Sequence, residues 1–431
     1  MSKYYDKSVI GIDVASEFSV ATILAPNGDV FKKAFKFNHN LKEFKYFLEE
    51  IKKVEKEFSM KPAIFMESTG IYHSTLFYFL LKNEYEAFII NPLITNSNKN
   101  KDIRKVKNDK KDSLNIAKLA KFEDIKSYSY FDISIFSLKS LCRDYYKLVD
   151  VRTTFKLKLN SDLRMIFPGY NKIFSDKTSL SSIALLKKYQ SPADILKAPK
   201  EKIFEILYQT SKKRAWSNQI YNKLIEIASE SAEISIPSSA LSVRILNSIS
   251  MIESLNEQIN ILSDEIEKLV NSDEVSGSFR NNIKLIMSLK GIGLISTITL
   301  LSEIGDFNNF KNPKQLVAYF GIDPSVNESG KFKGDKNKMS KRGSRIARRV
   351  LYTVSLTAIK KKPNGEFSNK TLYDYYHTLI ETKKKKVALV AVIHKIIKYM
   401  FAILRNQKEY ECRNPKIHCK MFLGNNNKLA A

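Results

Sequence analysis

Apolar and polar positions alternate along the first part of the chain in a way that predicts a mixed α/β domain. Short apolar runs predict five strands, at Val9–Val14, Ser19–Leu24, Val30–Phe37, Ala63–Glu67 and Ala87–Ile90. Amphipathic spacing predicts helices over Leu41–Glu57 and Thr75–Asn83, and a further helix from about Asp109. Turn residues 27–29 join the second and third strands, so the first three strands are expected to form an antiparallel meander.

The middle of the chain, from about residue 137 to residue 283, has a helical pattern. Isoleucines recur every seven residues with leucines three later, the a/d repeat of a coiled coil, at Ile245, Ile252, Leu255, Ile259, Leu262, Ile266 and Leu269. An earlier apolar stripe runs from Leu141 to Leu159 and stops before Pro168-Gly169. The two helices could pair as an antiparallel hairpin within one chain or across two chains, and the sequence leaves both open. Residues 170–237, between them, are expected to form shorter helices and loops.

A third region begins near Asn281 and is expected to be mainly α-helical. Residues Lys290, Gly291 and Gly293 precede an apolar helix at Ile295–Ile304, an arrangement that resembles a helix-hairpin-helix. In that motif the glycines let backbone N–H groups approach a DNA phosphate at a helix N-terminus. The same glycines also serve plain helix–helix packing, so both interpretations stay open. The predicted divisions are 1–125 for the α/β domain, 126–280 for the helical linker, 281–410 for the third domain and 411–431 for a basic tail.

The charge balance of the 431-residue chain favours a polyanionic partner. There are 72 Lys and Arg residues against 45 Asp and Glu residues, a formal net charge of +27. Such a potential attracts nucleic acid, with an anionic membrane surface as the competing partner. We expect no membrane association, because no apolar stretch reaches the roughly 18 residues that span a bilayer. Three cysteines are too few and too scattered for a disulfide framework, so we expect a cytoplasmic, nucleoid-associated protein.

Four acidic residues carry the strongest chemical signal. Asp13 lies near the end of the first strand, Glu67 closes the fourth strand, and Asp109 and Asp112 share one face of a helix. This order and spacing predict a ribonuclease H-like (RuvC-like) α/β fold in which the four carboxylates gather. Carboxylate oxygens suit Mg²⁺, with Mn²⁺ as a substitute, and two such ions support phosphoryl transfer. We therefore predict a two-metal site at these residues.

Basic residues surround two stretches of predicted site chemistry. One set precedes and enters the acidic helix, at Lys99, Arg104, Lys105, Lys107 and Lys110. The other set flanks a polar loop and enters a helix that Ser344 could cap, at Lys331, Lys333, Lys341, Arg342, Arg345, Arg348 and Arg349. With Lys290, Gly291 and Gly293 these residues are the predicted nucleic-acid contacts. Ser329, in that loop beside Gly330, is a candidate nucleophile whose attack on a phosphodiester the cations would assist.

The chain resembles the transposases of the insertion-sequence 110 family, the DEDD-type recombinases, over nearly everything outside about 170–240. In the N-terminal part, the resemblance rests on the residues around Asp13, on Glu67-Ser68-Thr69-Gly70, on Asn91-Pro92 and on residues 104–113. In the C-terminal part, it rests on four motifs: Lys290-Gly291-Ile292-Gly293, Phe320-Gly321-Ile322-Asp323-Pro324, Ser329-Gly330 and Ser340-Lys341-Arg342-Gly343. Asn108 stands where the family usually has Thr, and Ser113 stands where Ala is common; neither is a proposed catalytic group.

The resemblance implies a function and a set of partners. Asp13, Glu67, Asp109 and Asp112 would be the metal-binding tetrad and Ser329 the catalytic serine, with Ser325 as a weaker rival in the same variable loop. Family members recombine DNA through a composite site assembled between protomers, and some are guided by a structured RNA. The expected partners are therefore double-stranded DNA of the element ends and target, a structured guide RNA, and further copies in a homodimer or homotetramer.

Three alternatives use the same residues differently. A Holliday-junction resolvase shares the fold and metal chemistry but hydrolyses with water, and it has no need of the region after about residue 281. A sugar kinase of the actin-like class has a phosphate loop similar to Gly11-Ile12-Asp13, but it needs a second glycine-rich loop that the sequence lacks. An inactive nucleic-acid-binding relative would keep the basic charge without the chemistry, and the intact tetrad and Ser329 speak against it.

Overall fold

The computed structural model describes residues 2–67, 71–90, 109–123, 127–128, 132–324, 328–329, 332–333 and 338–413. The chain divides into two compact units, Met1–Asp132 and Ile133–Ala431. The first is built on a mixed sheet and the second is mostly helical, as the sequence predicts. The further separation of the helical part at about residue 280 stays a prediction.

The first unit contains six strands and three helices among its described residues. The strands are β1 (Val9–Val14), β2 (Phe18–Leu24), β3 (Val30–Asn38), β4 (Ala63–Glu67), β5 (Ala87–Ile90) and β6 (Ser127–Tyr128). The helices are α1 (Leu41–Phe58), α2 (His73–Lys82) and α3 (Asp109–Phe122). The five predicted strands and the helices that follow them are thus confirmed to within two residues, and β6 is an addition that the sequence pattern did not predict.

The strands form one sheet in the order β3-β2-β1-β4-β5-β6. Strands β1, β2 and β3 are the predicted antiparallel meander. Strand β4 runs parallel to β1, and β5 runs parallel to β4. The carboxyl ends of β1, β4 and β5 consequently share one edge of the sheet, where side chains that end these strands can meet.

Side chains alternate between two apolar cores, one on each face of this sheet. Ile10 and Ile12 of β1 point to the face covered by α1 and α2, where Phe47 and Phe77 are buried. Val9 of β1 and Phe65 of β4 point to the opposite face, which α3 covers with residues such as Ala117. Because alternate residues share a face, Gly11, Asp13 and Glu67 lie on the α3 side.

The second unit contains thirteen α-helices and a short 3₁₀ helix (Phe307–Asn309) among its described residues. They are α4 (Ile133–Ile166), α5 (Tyr170–Ile173), α6 (Leu180–Lys188), α7 (Pro192–Lys197), α8 (Lys200–Ser211), α9 (Arg214–Ala232), α10 (Ser239–Asn271), α11 (Gly277–Met287), α12 (Leu294–Ile304), α13 (Pro313–Tyr319), α14 (Arg345–Ala358), α15 (Lys370–Ile380) and α16 (Lys385–Asn406). A two-stranded hairpin, β7 (Glu328–Ser329) and β8 (Phe332–Lys333), lies between α13 and α14.

Helices α4 and α10 pack against each other as an antiparallel hairpin within one chain. Arg152 donates to Asn256 over 2.7 Å near the middle of the pair. Nearer the joining segment, Arg244 forms a 2.7 Å ion pair with Asp162. The predicted isoleucine seam faces this contact, and Ile245, Ile252, Ile259 and Ile266 are all buried. The structure therefore provides the intrachain pairing, one of the two arrangements that the sequence left open.

The two ends of this helical hairpin belong to different apolar cores. Leu159 and Leu163 join the core that the short helices α5–α9 complete. Leu138 and Cys142 at the other end join the larger core that includes α11–α16. The last helix, α16, is long and apolar enough to cross a membrane by length and composition alone, so the expectation that no stretch reaches that length is wrong. Its Val392, Ile396 and Met400 are buried in that core, the arrangement of a core helix.

Candidate functional site

Two predicted carboxylates stand side by side at the carboxyl edge of the sheet. The parallel register of β1 and β4 pairs Ile12 with Met66, so Asp13 and Glu67 occupy the next positions on the two strands. Neighbouring strands are about 4.8 Å apart, and both residues lie on the face that α3 covers. Asp13 is partly exposed, whereas Glu67 retains only 8% of its accessible surface.

Gly11 allows helix α3 to cross directly over β1. A Cβ at this position would stand 2.3 Å from both the backbone N of Ala117 and the carbonyl oxygen of Ser113. No side chain fits at that distance, so the helix approaches the strand only because residue 11 is glycine. The close approach sets the start of α3, with Asp109 and Asp112, above the strand that carries Asp13.

A hydroxyl pair fixes the beginning of α3 on the sheet. The Oγ atoms of Thr22 on β2 and Ser113 on α3 lie 2.7 Å apart and both residues are buried. Ser113 also donates to the carbonyl of Lys110 over 3.2 Å. Asp112, the neighbour of Ser113, is buried with 5% of its surface accessible. Since the hydroxyl pair restrains the helix, it also restrains the position of Asp112.

The Glu67 carboxyl group is the least satisfied part of this cluster. Its Oε2 atom is buried and has no hydrogen-bond partner among the described residues. A buried carboxylate without a partner is costly, and a bound cation offsets that cost. The donors supplied by Asp13, Glu67 and Asp112 are all hard oxygens, which fit Mg²⁺ or Mn²⁺. In donor chemistry, though not in the spacing of their described side chains, these residues suit a divalent metal ion.

The cluster is incomplete in the described part of the chain. No three of the described His, Cys, Asp and Glu side chains are grouped around a single point. Asp109 begins α3, but its side chain lies outside the described residues, as do the predicted contacts Lys99, Arg104, Lys105 and Lys107. Lys110 is exposed on the first turn of α3. The fourth carboxylate and most of the basic run thus stay predictions.

The second predicted centre is the loop between α13 and α14, and its base is tightly held. Pro324 and Met339 form an antiparallel bridge. Ser340 donates its hydroxyl to the Asp323 carboxylate over 2.5 Å and its backbone N–H to the Asp323 carbonyl over 2.9 Å. Gly343 packs so closely that a Cβ there would stand 2.0 Å from the carbonyl oxygen of Tyr319. The two ends of the loop are consequently fixed side by side.

Ser329 lies on the two-stranded hairpin that this base supports. It pairs with Phe332 across β7 and β8. The side chains of Ser329 and Lys333 lie outside the described residues, as do Ser325 and Lys331 entirely. The structure therefore places Ser329 at the tip of a β-hairpin, and its role as a nucleophile stays a prediction.

The arginines of the predicted α14 face differ in their contacts. Arg349 donates to the carbonyl of Tyr146 over 2.6 Å and pairs with Asp150 at 3.0 Å. Arg348 donates to the carbonyls of Phe320 and Gly343, which holds the loop base against the helix. Burial and the neighbouring Arg345 guanidinium lower the pKa of Arg348 below its ordinary value. Both residues are thus engaged within the protein, which the sequence did not predict.

Three other predicted cations at this place are exposed. Lys341 and Arg342 precede α14, and Arg345 is its first residue. Neither Lys341 nor Arg345 forms an ion pair with an acidic side chain that the structure describes. Ser344 accepts a hydrogen bond from the backbone N–H of Ala347 over 3.1 Å, so the predicted cap of α14 is confirmed.

The two glycines of the helix-hairpin-helix-like segment have different surroundings. Gly291 has a φ of +106°, and a Cβ there would stand 2.8 Å from the Cα of Ala358 on α14. Gly293 caps the N-terminus of α12 and has open space where its Cβ would be, and Lys290 beside it is exposed. Gly291 is therefore a packing glycine. Gly291, Gly293 and Lys290 all stay predicted contacts with a phosphate.

Several residues that shape these two centres were not predicted as site residues. Thr22 and Ser113 couple α3 to the sheet, and Asp323 and Ser340 close the base of the serine loop. A glycine inside a strand, as at Gly11, is a known signal of close backbone approach. The hydroxyl contacts have no comparable signal, because they join residues 91 and 17 positions apart.

Two family models match the chain, and both describe transposases. The DEDD_Tnp_IS110 transposase model matches residues 10–168, which include Asp13, Glu67, Asp109 and Asp112. The model described as transposase of the IS116/IS110/IS902 family matches residues 283–371, which include Ser329. Together the two matches cover more than half of the chain and leave out most of the segment between α4 and α11.

Similarity to individual proteins is low and covers part of each chain. The chain is 22% identical over 255 residues to an uncharacterised 43.6 kDa protein of insertion element IS110 from Streptomyces coelicolor, covering 59% of each chain. It is 26% identical over 155 residues to the transposase of insertion sequence element IS1111A from Coxiella burnetii, covering 34% of this chain and 42% of that protein.

A third relative carries a name that describes its activity. The chain is 22% identical over 160 residues to the pilin gene-inverting protein of Moraxella bovis, covering 37% of this chain and 47% of that protein. The matched stretches thus span between 42% and 59% of the length of these three relatives.

Proposed function

We propose that this chain, which belongs to the IS110 family of transposases, cuts and rejoins DNA strands as the recombinase of a mobile insertion sequence. The observation that carries the proposal is the placement of Asp13, Glu67 and Asp112. Two of these carboxylates end adjacent parallel strands, and the third lies on the helix that Gly11 admits against the same face. Cutting and rejoining of DNA also fits the names of the relatives, one of which inverts a gene.

The first proposed centre is a divalent-metal site in a ribonuclease H-like domain. Asp13, Glu67, Asp109 and Asp112 would hold Mg²⁺, or Mn²⁺ in its place, and the orphaned Oε2 of Glu67 is the atom that most needs such a partner. Two bound metal ions would neutralise negative charge at the scissile phosphate and at the leaving oxygen. The protein's own contribution is to hold the four carboxylates in place through the Thr22–Ser113 contact and the packing of α3 on β1.

The second proposed centre is Ser329 on the β7–β8 hairpin. The Oγ of Ser329 attacks the scissile phosphorus, the bond from phosphorus to the leaving strand's oxygen breaks, and that oxygen leaves as a free hydroxyl. A hydroxyl of the second DNA then attacks the phosphoserine and returns the Ser329 hydroxyl. Because the covalent link conserves the phosphodiester energy, strand exchange requires no ATP. Lys341, Arg342 and Arg345 at the loop base would offset the charge of the phosphate.

The proposed partners are nucleic acids and further copies of this chain. The net charge of +27 and the exposed cations Lys110, Lys290 and Arg345 suit double-stranded DNA at the element ends and the target. A structured guide RNA would select the two DNA sites by base pairing. A composite site that draws its tetrad and its serine from different protomers would require a homodimer or homotetramer.

A recombination assay in cells tests this proposal. The cells carry the gene with its native flanking DNA and a target plasmid, and junctions between element and target are counted by sequencing. Asp13→Ala should abolish junctions and strand breaks while leaving nucleic-acid binding largely intact. Asp29→Ala, which removes an exposed carboxylate from the β2–β3 turn, is the matched control and should recombine normally. Normal recombination by Asp13→Ala would overturn the metal site.

The same assay separates serine chemistry from hydrolysis. Ser329→Ala should lose joined products, because the covalent intermediate cannot form. If Ser329→Ala still made strand breaks that depended on Asp13, water would be the nucleophile and the protein would act as a resolvase-like endonuclease. If a covalent adduct survived Ser329→Ala, the nucleophile would be another residue, with Ser325 first to be examined.

A further inference from the structure

A cavity beside the base of the serine loop shares Lys341 and Arg345 with the proposed phosphate contacts, but the rest of its lining has no role in the proposed chemistry. Its volume is about 360 Å³, within the range of about 300–1,000 Å³ that is common for ligand sites. Ile322 and Met339 of the loop base form one side, and Val390 and Ile393 of α16 form the other. The cavity thus has an apolar floor that opens at the surface of the second unit.

One aromatic ring borders this cavity and is available for stacking. Tyr352, two turns after Arg345 on α14, lines the cavity and is 47% exposed. Its ring makes no aromatic or cation–π contact within the part of the chain that the structure describes. An exposed aromatic ring beside an apolar floor is the arrangement that proteins use to stack a nucleobase.

The remaining lining of the cavity is cationic. Lys341, Arg345, Arg348 and Arg349 all border it. Arg348 and Arg349 are held by internal carbonyl and carboxylate partners, as described above, and they leave Lys341 and Arg345 exposed at the opening. Asp150 compensates the charge of Arg349, and the mutual repulsion of the other three cations would be relieved by a bound anion.

We infer that this cavity binds one unpaired nucleotide of a DNA strand, with the base on Tyr352 and the apolar floor and the phosphate on Lys341 and Arg345. Phosphate alone would need the cations but not the exposed ring or the apolar floor. The net charge of +27 favours a nucleic acid as the source of this nucleotide.

The position of the cavity relates it to the proposed reaction. Ile322 and Met339 border it, and the loop that carries Ser329 lies between Pro324 and Met339, which form a bridge at its base. A nucleotide held here would belong to the strand that the serine loop contacts. The inference rests on the proposed function only for this choice of DNA strand, because the binding itself needs neither Ser329 nor a metal ion.

Photocrosslinking of the full chain tests the inference directly. The probe is a single-stranded oligothymidine that carries one 5-iodouracil, and irradiation should attach it to the peptide that contains Tyr352. Affinity is measured in parallel by fluorescence anisotropy at raised salt, which suppresses non-specific phosphate contacts. Tyr352→Ala should weaken binding of the oligothymidine roughly fivefold to a hundredfold, the range for losing one base–aromatic stack. Tyr352→Phe keeps the ring and should restore binding.

Control variants and probes decide between the outcomes. Leu356→Ala changes a side chain that is 45% exposed one turn farther along α14, outside the cavity, and should leave binding unchanged. A strand of the same length without bases should bind Tyr352→Ala and the unaltered protein equally. If Tyr352→Ala weakened both strands equally, or neither, no base would occupy the cavity and the inference would fail.

One further result would overturn the inference, and another would separate it from the proposed function. Tighter binding and stronger crosslinking of oligouridine than of oligothymidine would assign the cavity to RNA instead of DNA. Crosslinking to Tyr352 in a protein that does not recombine DNA would support the cavity assignment and count against the proposed function alone.

Discussion

The hydroxyl oxygens of Thr22 and Ser113 lie 2.7 Å apart and join the helix that carries Asp112 to the strand next to the one that carries Asp13. The contact is buried and connects residues 91 positions apart in the chain. The geometry of the carboxylate cluster thus depends on a pair of hydroxyl groups as well as on packing.

Loss of this hydroxyl pair should affect both stability and recombination. Thr22→Val keeps the side-chain shape but removes the partner of Ser113, so we expect a loss of about 1 kcal/mol in the free energy of unfolding. A displaced Asp112 should lower recombination roughly tenfold to a hundredfold. Urea unfolding and junction counting measure the two effects. Thr22→Ser is the control, and equal activity of Thr22→Val and Thr22→Ser would remove the positioning role.

Glu67→Gln should separate stability from function. The substitution removes a buried negative charge whose Oε2 has no described partner, so without divalent metal the variant should melt at a higher temperature than the unaltered protein. Mg²⁺ or Mn²⁺ should raise the melting temperature of the unaltered protein and not that of Glu67→Gln. Thermal melting in EDTA and in each metal measures this without any DNA. A similar metal-dependent rise in both proteins would place the ion elsewhere.

Alkaline pH should reveal the contribution of Tyr85 to the first unit. Burial and the hydrogen bond to Glu55, 3.0 Å long, raise the pKa of Tyr85 to about 12. The folded state therefore keeps the phenol proton at pH values where the unfolded chain has lost it. Its contribution is complete below about pH 10 and is lost as the pH rises towards 12. The free energy of unfolding, measured across this pH range, should decline less steeply in Tyr85→Phe than in the unaltered protein. The control Tyr78→Phe, which changes an exposed tyrosine, should behave like the unaltered protein.

Two neighbouring arginines on α14 should give opposite phenotypes. Arg349→Ala removes the contacts with Tyr146 and Asp150 and should lower the free energy of unfolding by about 1 kcal/mol. Arg345→Ala removes an exposed cation and should weaken DNA binding while leaving stability unchanged. Chemical unfolding and anisotropy with labelled DNA compare them. Unchanged DNA affinity of Arg345→Ala would remove it from the nucleic-acid surface.

Most of the fold could be predicted from local patterns. The buried runs at Val9–Val14 and Ala63–Glu67 have the period and length of strands, and they form strands with those bounds. The isoleucine seam from Ile245 to Ile266 predicted a packed helix, although the choice between one chain and two needed the structure. Strand β6 was not predicted, because it has only two residues, Ser127 and Tyr128, and depends on pairing with β5.

The places of the candidate site residues in the fold could be predicted from the sequence, but their contacts could not. The positions of Asp13 and Glu67 at strand ends follow from the apolar runs that precede them. The sequence could not show which arginines of α14 have internal partners and which are exposed, because Arg345, Arg348 and Arg349 have the same chemistry and lie on one helix face. What distinguishes them is the proximity of Asp150 and of the Phe320 carbonyl, and such long-range contacts leave no local pattern in the sequence.

The most direct test of the proposed recombinase is the chemical state of Ser329 during the reaction. Cells that carry the gene with its native flanking DNA and a target plasmid are denatured rapidly, and peptides of the protein are analysed by mass spectrometry. We predict a nucleotide attached to Ser329 that is absent in Ser329→Ala and in Asp13→Ala. Strand breaks that require Asp13 but leave Ser329 unmodified would contradict it and indicate hydrolysis by water.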